Sequence, residues 1–92
     1  MTTRLEHNLG ETRYEIYSDD VLAGYADYDE RNGVRDFNHT LTVPEFRGHG
    51  IAAQVVEFAL TSTRADGFKV VPSCWYVEKY IAANSEYADL LA

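Results

Sequence analysis

The sequence has one cysteine, Cys74, and only two prolines, Pro44 and Pro72, among its 92 residues. One thiol excludes an internal disulfide, the device that staples many chains of this size. Stability must therefore come from packing, helped where needed by a ligand or by self-association. A lone thiol also fits a reducing compartment. Residues 1–9 carry Arg4, Glu6 and His7 where a secretory leader has an apolar core, so the expectation is a cytoplasmic protein with no signal peptide. No apolar run approaches the ~20 residues of a membrane-spanning helix, and no membrane association is expected. Basic residues are scarce as well, with 8 Lys and Arg against 15 Asp and Glu for a net charge of −7. Because neutralising phosphates requires a basic face, no nucleic-acid partner is expected. His7, His39, His49 and Cys74 lack metal-ligand spacing, so no metal is expected, and no Ser-His-Asp arrangement stands out.

What is present suffices for one compact domain and is too short for two, since domains run from ~50 to ~200 residues. We read residues 1–92 as that single domain. Its charge is uneven: nine of the acids but four of the eight bases fall in residues 1–44. An anionic ligand would find the second half less hostile. The acidic first half either attracts a cationic amine or serves as a solvated surface.

Residues 12–43 alternate mostly with period two. Tyr14 and Ile16 share one face of a strand, residues 18–20 form a turn, and residues 21–29 return as a second strand. Asn32-Gly33 marks a tight hairpin before a third strand over residues 34–43, and a short strand near residues 4–8 precedes them all. At Pro44 the period changes. Ile51, Ala52, Val55, Val56, Ala59, Leu60 and Thr63 fall on one face of an α-helix that Gly67 ends. Residues 68–71 then read as a short buried strand stopped by Pro72. Ser73 is the expected N-cap of a helix over residues 74–83, with a last helical turn over residues 86–91. A strand, crossover helix and strand of this length form a right-handed unit with parallel strands. The predicted class is therefore α/β, with an antiparallel meander followed by helix, strand and helix on a mixed sheet.

The strand-to-helix junction, Pro44-Glu45-Phe46-Arg47-Gly48-His49-Gly50-Ile51-Ala52, carries the chemistry. The free N–H groups of a helix's first turn and its positive dipole end suit an anion, two glycines let a ligand approach the backbone, and Arg47 adds a fixed charge with donors suited to phosphate. The alternative is a glycine-rich turn that only starts a helix. A dinucleotide is disfavoured although Gly48-His49-Gly50-Ile51-Ala52-Ala53 satisfies G-x-G-x-x-A. The ribose-binding acid expected about 20 residues on would fall near Pro72 and Ser73, and the loop follows a meander instead of opening a βα array.

Arg47-x-x-Gly50-x-Ala52 resembles the R/Q-x-x-G-x-G/A loop of GNAT acetyltransferases. The wider string, from Phe37-Asn38-His39-Thr40 through Val43-Pro44 to Val71-Pro72-Ser73-Cys74, Tyr76-Val77 and Tyr80-Ile81, resembles the minimal GNAT-like family, over roughly residues 12–91. This resemblance implies a reduced GNAT fold, lacking the usual N-terminal helices and the final strand pair and so open on the acceptor side. It implies acetyl-CoA, or coenzyme A, as cofactor and N-acetyl transfer to a small-molecule or protein amine; for the assembly, a monomer or weak homodimer is the expectation. The pantetheine arm would pair with the backbone of Leu41, Thr42 and Val43. The pyrophosphate would sit on the amides of Arg47, Gly48, His49, Gly50, Ile51 and Ala52, and the second helix would flank the arm.

Several side chains keep two readings. Cys74, at the positive end of that helix, is either a nucleophile able to take the acetyl group or form a disulfide with CoA, or a small residue packed with Val77 and Ile81. His39 is either a base for an incoming amine or thiol, or a hydrogen-bonded strand histidine. Tyr76 and Tyr80 share a helical face near Cys74, where either hydroxyl could protonate the departing thiolate or simply pack; Tyr80 is counted with the cofactor residues. Arg64 and Lys79 are candidates for further phosphate contacts. If the thiol senses and does not transfer, the chain is a non-catalytic CoA-binding module.

Overall fold

The computed structural model describes residues 2–92. Strands β1 (Thr3–Asn8), β2 (Arg13–Ser18), β3 (Val21–Arg31), β4 (Val34–Thr42) and β5 (Lys69–Val71) form one sheet in the order β1-β2-β3-β4-β5. Helix α1 (Ile51–Ala65) connects β4 to β5, and α2 (Trp75–Ala83) follows β5. The first four strands pair antiparallel, whereas β4 and β5 run parallel, as the crossover requires. Between β1 and β2 the chain makes only a single 3-10 turn, Leu9–Glu11, with no helix.

The β2–β3 and β3–β4 hairpins each turn on two residues with positive φ, the geometry that matches strand twist. Asn32 and Gly33 do so as expected, while the first hairpin uses Asp19 (φ 49°) and Asp20 (φ 67°), with no glycine. A hydrogen bond from the Thr2 amide to Asp19 Oδ1, at 3.0 Å, helps hold that turn.

Tyr14, Ile16, Ala26, Tyr28 and Phe37 point to one face, where they meet Ile51, Val55, Val56, Ala59 and Leu60 of α1 and Val77 and Ile81 of α2 in one hydrophobic cluster. The helical period at residues 51–63 is thus the period of burial, except that Ala52 is only half-buried. Gly67, at φ 75°, ends α1 as expected. Its N–H donates to the Arg64 carbonyl, and the Phe68 N–H to that of Thr63.

A bulge in β4 decides what lies where. Tyr28 pairs with Phe37 but Asp27 pairs with His39, leaving Asn38 as the extra residue. Strict alternation would put Phe37, His39 and Leu41 on one face. The bulge turns His39 and Leu41 to the face away from α1 and brings Thr40 to the core side.

The expected N-cap moves by one residue. Cys74, in an extended conformation (φ −74°, ψ 128°), caps α2 in place of Ser73, because its N–H is held by the Phe37 carbonyl at 2.8 Å and the helix turns only after it.

Arg35 is the principal charge inside this core, at 4% exposure. It donates to Glu30, Asp66 and the Tyr14 hydroxyl at 2.8 to 2.9 Å and lies over the Tyr28 and Phe68 rings. Burial opposes its charge, but the hydrogen bonds to Glu30 and Asp66 outweigh that, so it stays a cation throughout. Arg35→Met keeps the length and loses those charged hydrogen bonds. Because Glu30 and Asp66 are each about half-exposed and can rehydrate, the expected loss in urea unfolding is about 2 kcal/mol.

Candidate functional site

Beyond the Cys74–Phe37 hydrogen bond, β4 and the chain leading into α2 diverge. Strand β5 covers only Val34, Arg35 and Asp36 of β4, so from Asn38 onward that edge of β4 has no partner strand among the described residues. The Val43 amide donates to the Ala23 carbonyl at 2.8 Å. By strand alternation Leu41 then also directs its backbone to β3, and Thr40 and Thr42 present theirs to the open edge. Of the three residues expected to pair with an extended ligand, Thr42 is thus free to do so, while Leu41 and Val43 are committed to β3.

The loop after β4 opens with a 3-10 turn, Pro44–Phe46, that the sequence did not announce. Gly48 (φ 84°) and Gly50 (φ 70°) then carry the chain into α1. A Cβ on Gly48 would meet nothing within 4 Å, and one on Gly50 only Gln54 Nε2, at 3.8 Å. Both glycines are therefore needed for their conformation and for an open surface, and neither for close packing.

The first helical bond of α1 runs from Gln54 N–H to the Gly50 carbonyl, no side chain caps the helix, and no acid lies in its first turn. Among the described residues, the amides of Gly48, Gly50, Ile51, Ala52 and Ala53 donate to no backbone acceptor. Those of Arg47 and His49 are spent on the carbonyls of Pro44 and Phe46, each at 3.3 Å, so the donor set is narrower than residues 47–52 and shifted toward the helix. Uncapped amides at a dipole's positive end attract an anion. The Arg47 guanidinium beside them is exposed and takes part in no ion pair among the described residues.

These groups line a cavity of about 350 Å³ that also takes in Thr42 from β4 and Tyr76 from α2. His49 is exposed and lies outside its lining. Tyr80, counted with the cofactor residues, lies outside it as well, one turn further along α2, with its ring near those of Tyr76 and Tyr87. Burial pushes its hydroxyl up to about 12. Burial also raises Tyr76, so its hydroxyl keeps its proton at neutral pH and can donate it.

Cys74 also lies outside the lining and is buried, with Sγ 3.5 Å from Thr40 Oγ1. Burial pushes the thiol up, but hydrogen bonds from the Thr40 hydroxyl and from the amides of Val77, Tyr76 and Thr40 outweigh it and hold the thiol below its ordinary range.

His39 is not brought to Cys74. It is exposed on the opposite face of β4, across from Asp27 and with its ring 6.1 Å from that of Tyr25. Arg64 is also elsewhere, at the far end of α1, where it is committed to Asp89 and the Glu86 carbonyl. Lys79 lies over the exposed Trp75 ring. Among the described residues no group of three or more His, Cys, Asp or Glu is placed to hold a metal. Nor is any helix long and apolar enough to cross a membrane.

An antiparallel meander, a parallel strand-helix-strand crossover with an uncapped amide cradle, and a cleft where β4 and the chain leading into α2 diverge define the acetyltransferase class of fold. The particular family follows: the chain belongs to the GCN5-related N-acetyl-transferase family, whose model matches residues 13–90. Protein NATD1 of Homo sapiens and that of Xenopus tropicalis are each 35% identical to it over 49 residues, 53% of this chain. Those 49 residues are only 43% and 45% of the two relatives, so the chain matches less than half of their length. Among solved structures, a GCN5-like protein from Staphylococcus aureus superposes with a TM-score of 0.74 at 16% identity, covering 97% of this chain and 87% of the other. An aminoglycoside N-acetyltransferase solved in complex with CoA gives 0.53 at 22% identity, over 77% of this chain and 63% of that one. At such identities these likenesses establish the fold alone.

Proposed function

We propose that the protein binds acetyl-CoA in the cleft between β4 and α2 and moves the acetyl group to an amine by way of Cys74. The observation that carries this reading is the proximity of three features: the free amides of Gly48, Gly50, Ile51, Ala52 and Ala53 on the cavity, the open edge of β4 along its wall, and, just outside the lining, the buried Cys74 thiol beside Thr40 and two residues before the cavity-lining Tyr76. The amides and Arg47 suit a pyrophosphate, and the backbone of Thr42 suits an extended amide-bearing arm. When bound, the cofactor supplies an activated acyl group. Cys74, whose thiol is held below its ordinary range, is the nucleophile, and Tyr76 is placed to return a proton to the departing sulfur.

The acceptor is read as a small-molecule or protein amine, in keeping with a net charge of −7, and the assembly as a single domain acting as a monomer or weak homodimer. A second reading, a CoA-binding or thiol-sensing module without turnover, is favoured by one observation: no helix between β1 and β2 covers the face that carries His39 and Asp27.

Intact mass after incubation with acetyl-CoA under non-reducing conditions separates these readings. Wild type is expected to gain one acetyl group and Cys74→Ala none. A CoA-sized adduct would replace transfer by sensing. Saturable stabilisation without any adduct would leave direct transfer or binding alone, and neither stabilisation nor adduct would remove the cofactor from the proposal.

A further inference from the structure

We propose that Thr40 is a positioning residue for Cys74, holding the sulfur against the open edge of β4 with its hydroxyl proton directed to it. The inference rests on the reading of Cys74 as acetyl acceptor and extends it to a residue of the opposite wall.

Three observations converge on Thr40. The β4 bulge at Asn38 turns its side chain to the face of the sheet where the core and α2 lie. Its Oγ1 lies 3.5 Å from Cys74 Sγ. The next residues toward the loop on each wall, Thr42 and Tyr76, both line the cavity at the cleft mouth. Thr40 and Cys74 lie outside that lining, two residues further from the loop on each wall, about 7 Å along the strand from Thr42. The Cys74–Phe37 hydrogen bond closes the cleft behind them. An arm that extends along the open edge of β4 past Thr42 would bring its acyl group to this pair.

The hydrogen bond matters most in the reactive state. As a thiol, Cys74 can donate to Thr40 or accept from it. As a thiolate it can only accept, so the hydroxyl turns its proton to sulfur and the bond becomes charge-assisted. Burial works against the thiolate, and Thr40 is first among the groups that offset it, followed by the amides of Val77 and Tyr76 and its own amide. In the step this serves, the Cys74 sulfur forms a bond to the acyl carbon of an acetyl thioester and the carbon–sulfur bond to CoA breaks. The CoA sulfur leaves with that electron pair and takes up one proton, replacing the one Cys74 gave up. No oxidation or reduction occurs.

The test compares Thr40→Val and Thr40→Ser with wild type, reading the pH dependence of iodoacetamide alkylation of the free protein. Cys74 is the only cysteine, so the rate reports one site. Valine keeps the shape and the backbone amide but lacks the hydroxyl. We expect its alkylation midpoint to rise by about one pH unit, with alkylation about tenfold slower at neutral pH. Serine should stay within about twofold of wild type. A purely structural role would lower the melting temperature of both variants without moving either midpoint, and that result overturns the inference. A raised midpoint in the valine variant, with no acetyl adduct on wild type, retains Thr40 as the residue that holds the thiol and discards only the acetyl route.

Discussion

Replacing Gly50 with valine is expected to abolish the proposed coenzyme A binding while the sheet, α2 and α1 beyond its first turn stay folded. Gly50 sits at φ 70° as the N-cap of α1, in a region of backbone space that a β-branched residue enters only at a cost of about 1–3 kcal/mol. Contact does not set this penalty, because the nearest atom to an added Cβ is Gln54 Nε2 at 3.8 Å. Strain of this kind is relieved where the structure is weakest. Here that is the first turn of α1, whose amides have no protein acceptor to hold them in line. Unwinding the turn moves the donors on which an anion depends and leaves the buried face from Val55 onward in place. Calorimetry should show affinity down by about a hundredfold or more, with an unchanged far-UV spectrum. Asparagine tolerates the left-handed region, so Gly50→Asn should retain affinity within about tenfold of wild type. A valine variant that still binds would remove the loop from the proposed site.

The same backbone logic explains how much of the molecule the sequence disclosed. Hairpin turns, the α1 stripe and the parallel crossover were legible because each follows from local chemistry: positive φ at Asn32-Gly33, an apolar period of 3.6 over residues 51–63, and the handedness of a strand-helix-strand unit. The loop of the site was legible for the same reason. Two features were not. The β4 bulge leaves no mark in a string of alternating residues, so His39 was counted with Cys74 although the extra residue at Asn38 sends it to the opposite face, and Thr40 went unnoticed. The cap of α2 was read one residue early because serine is the better N-cap by propensity, while the long-range hydrogen bond from Cys74 to Phe37 decides where the helix begins. Tyr76 and Tyr80 looked equivalent on a helical face, and only the cavity distinguishes them.

A glycine that drew no attention in the sequence couples the core to the site, and Gly24→Ala is expected to be among the most damaging small substitutions in the chain. Gly24 lies in β3, paired with Thr42, and a single added Cβ would stand 2.7 Å from the Leu41 carbonyl oxygen and 2.8 Å from Ile51 Cγ2. Ile51 is a side chain and the first residue of α1, and Leu41 presents backbone already held in the ladder. The methyl group must push the start of α1 off the sheet, widen the β3–β4 pairing, or do both. Overpacking of this kind costs about 3 kcal/mol, and urea unfolding should show a loss of that size. The displaced residue also borders the cavity beneath the amide cradle, so coenzyme A affinity should fall in the molecules that remain folded. That separates this variant from Arg35→Met, which is expected to lose stability alone. Ile51→Leu, which has no Cγ2 and keeps the side-chain volume, relieves only part of the strain, since the backbone contact with Leu41 persists. The double variant should therefore recover about 1 kcal/mol of the stability lost by Gly24→Ala and stay well below wild type. Full recovery would mean that the side chain sets the limit, and no recovery that the Leu41 carbonyl alone does.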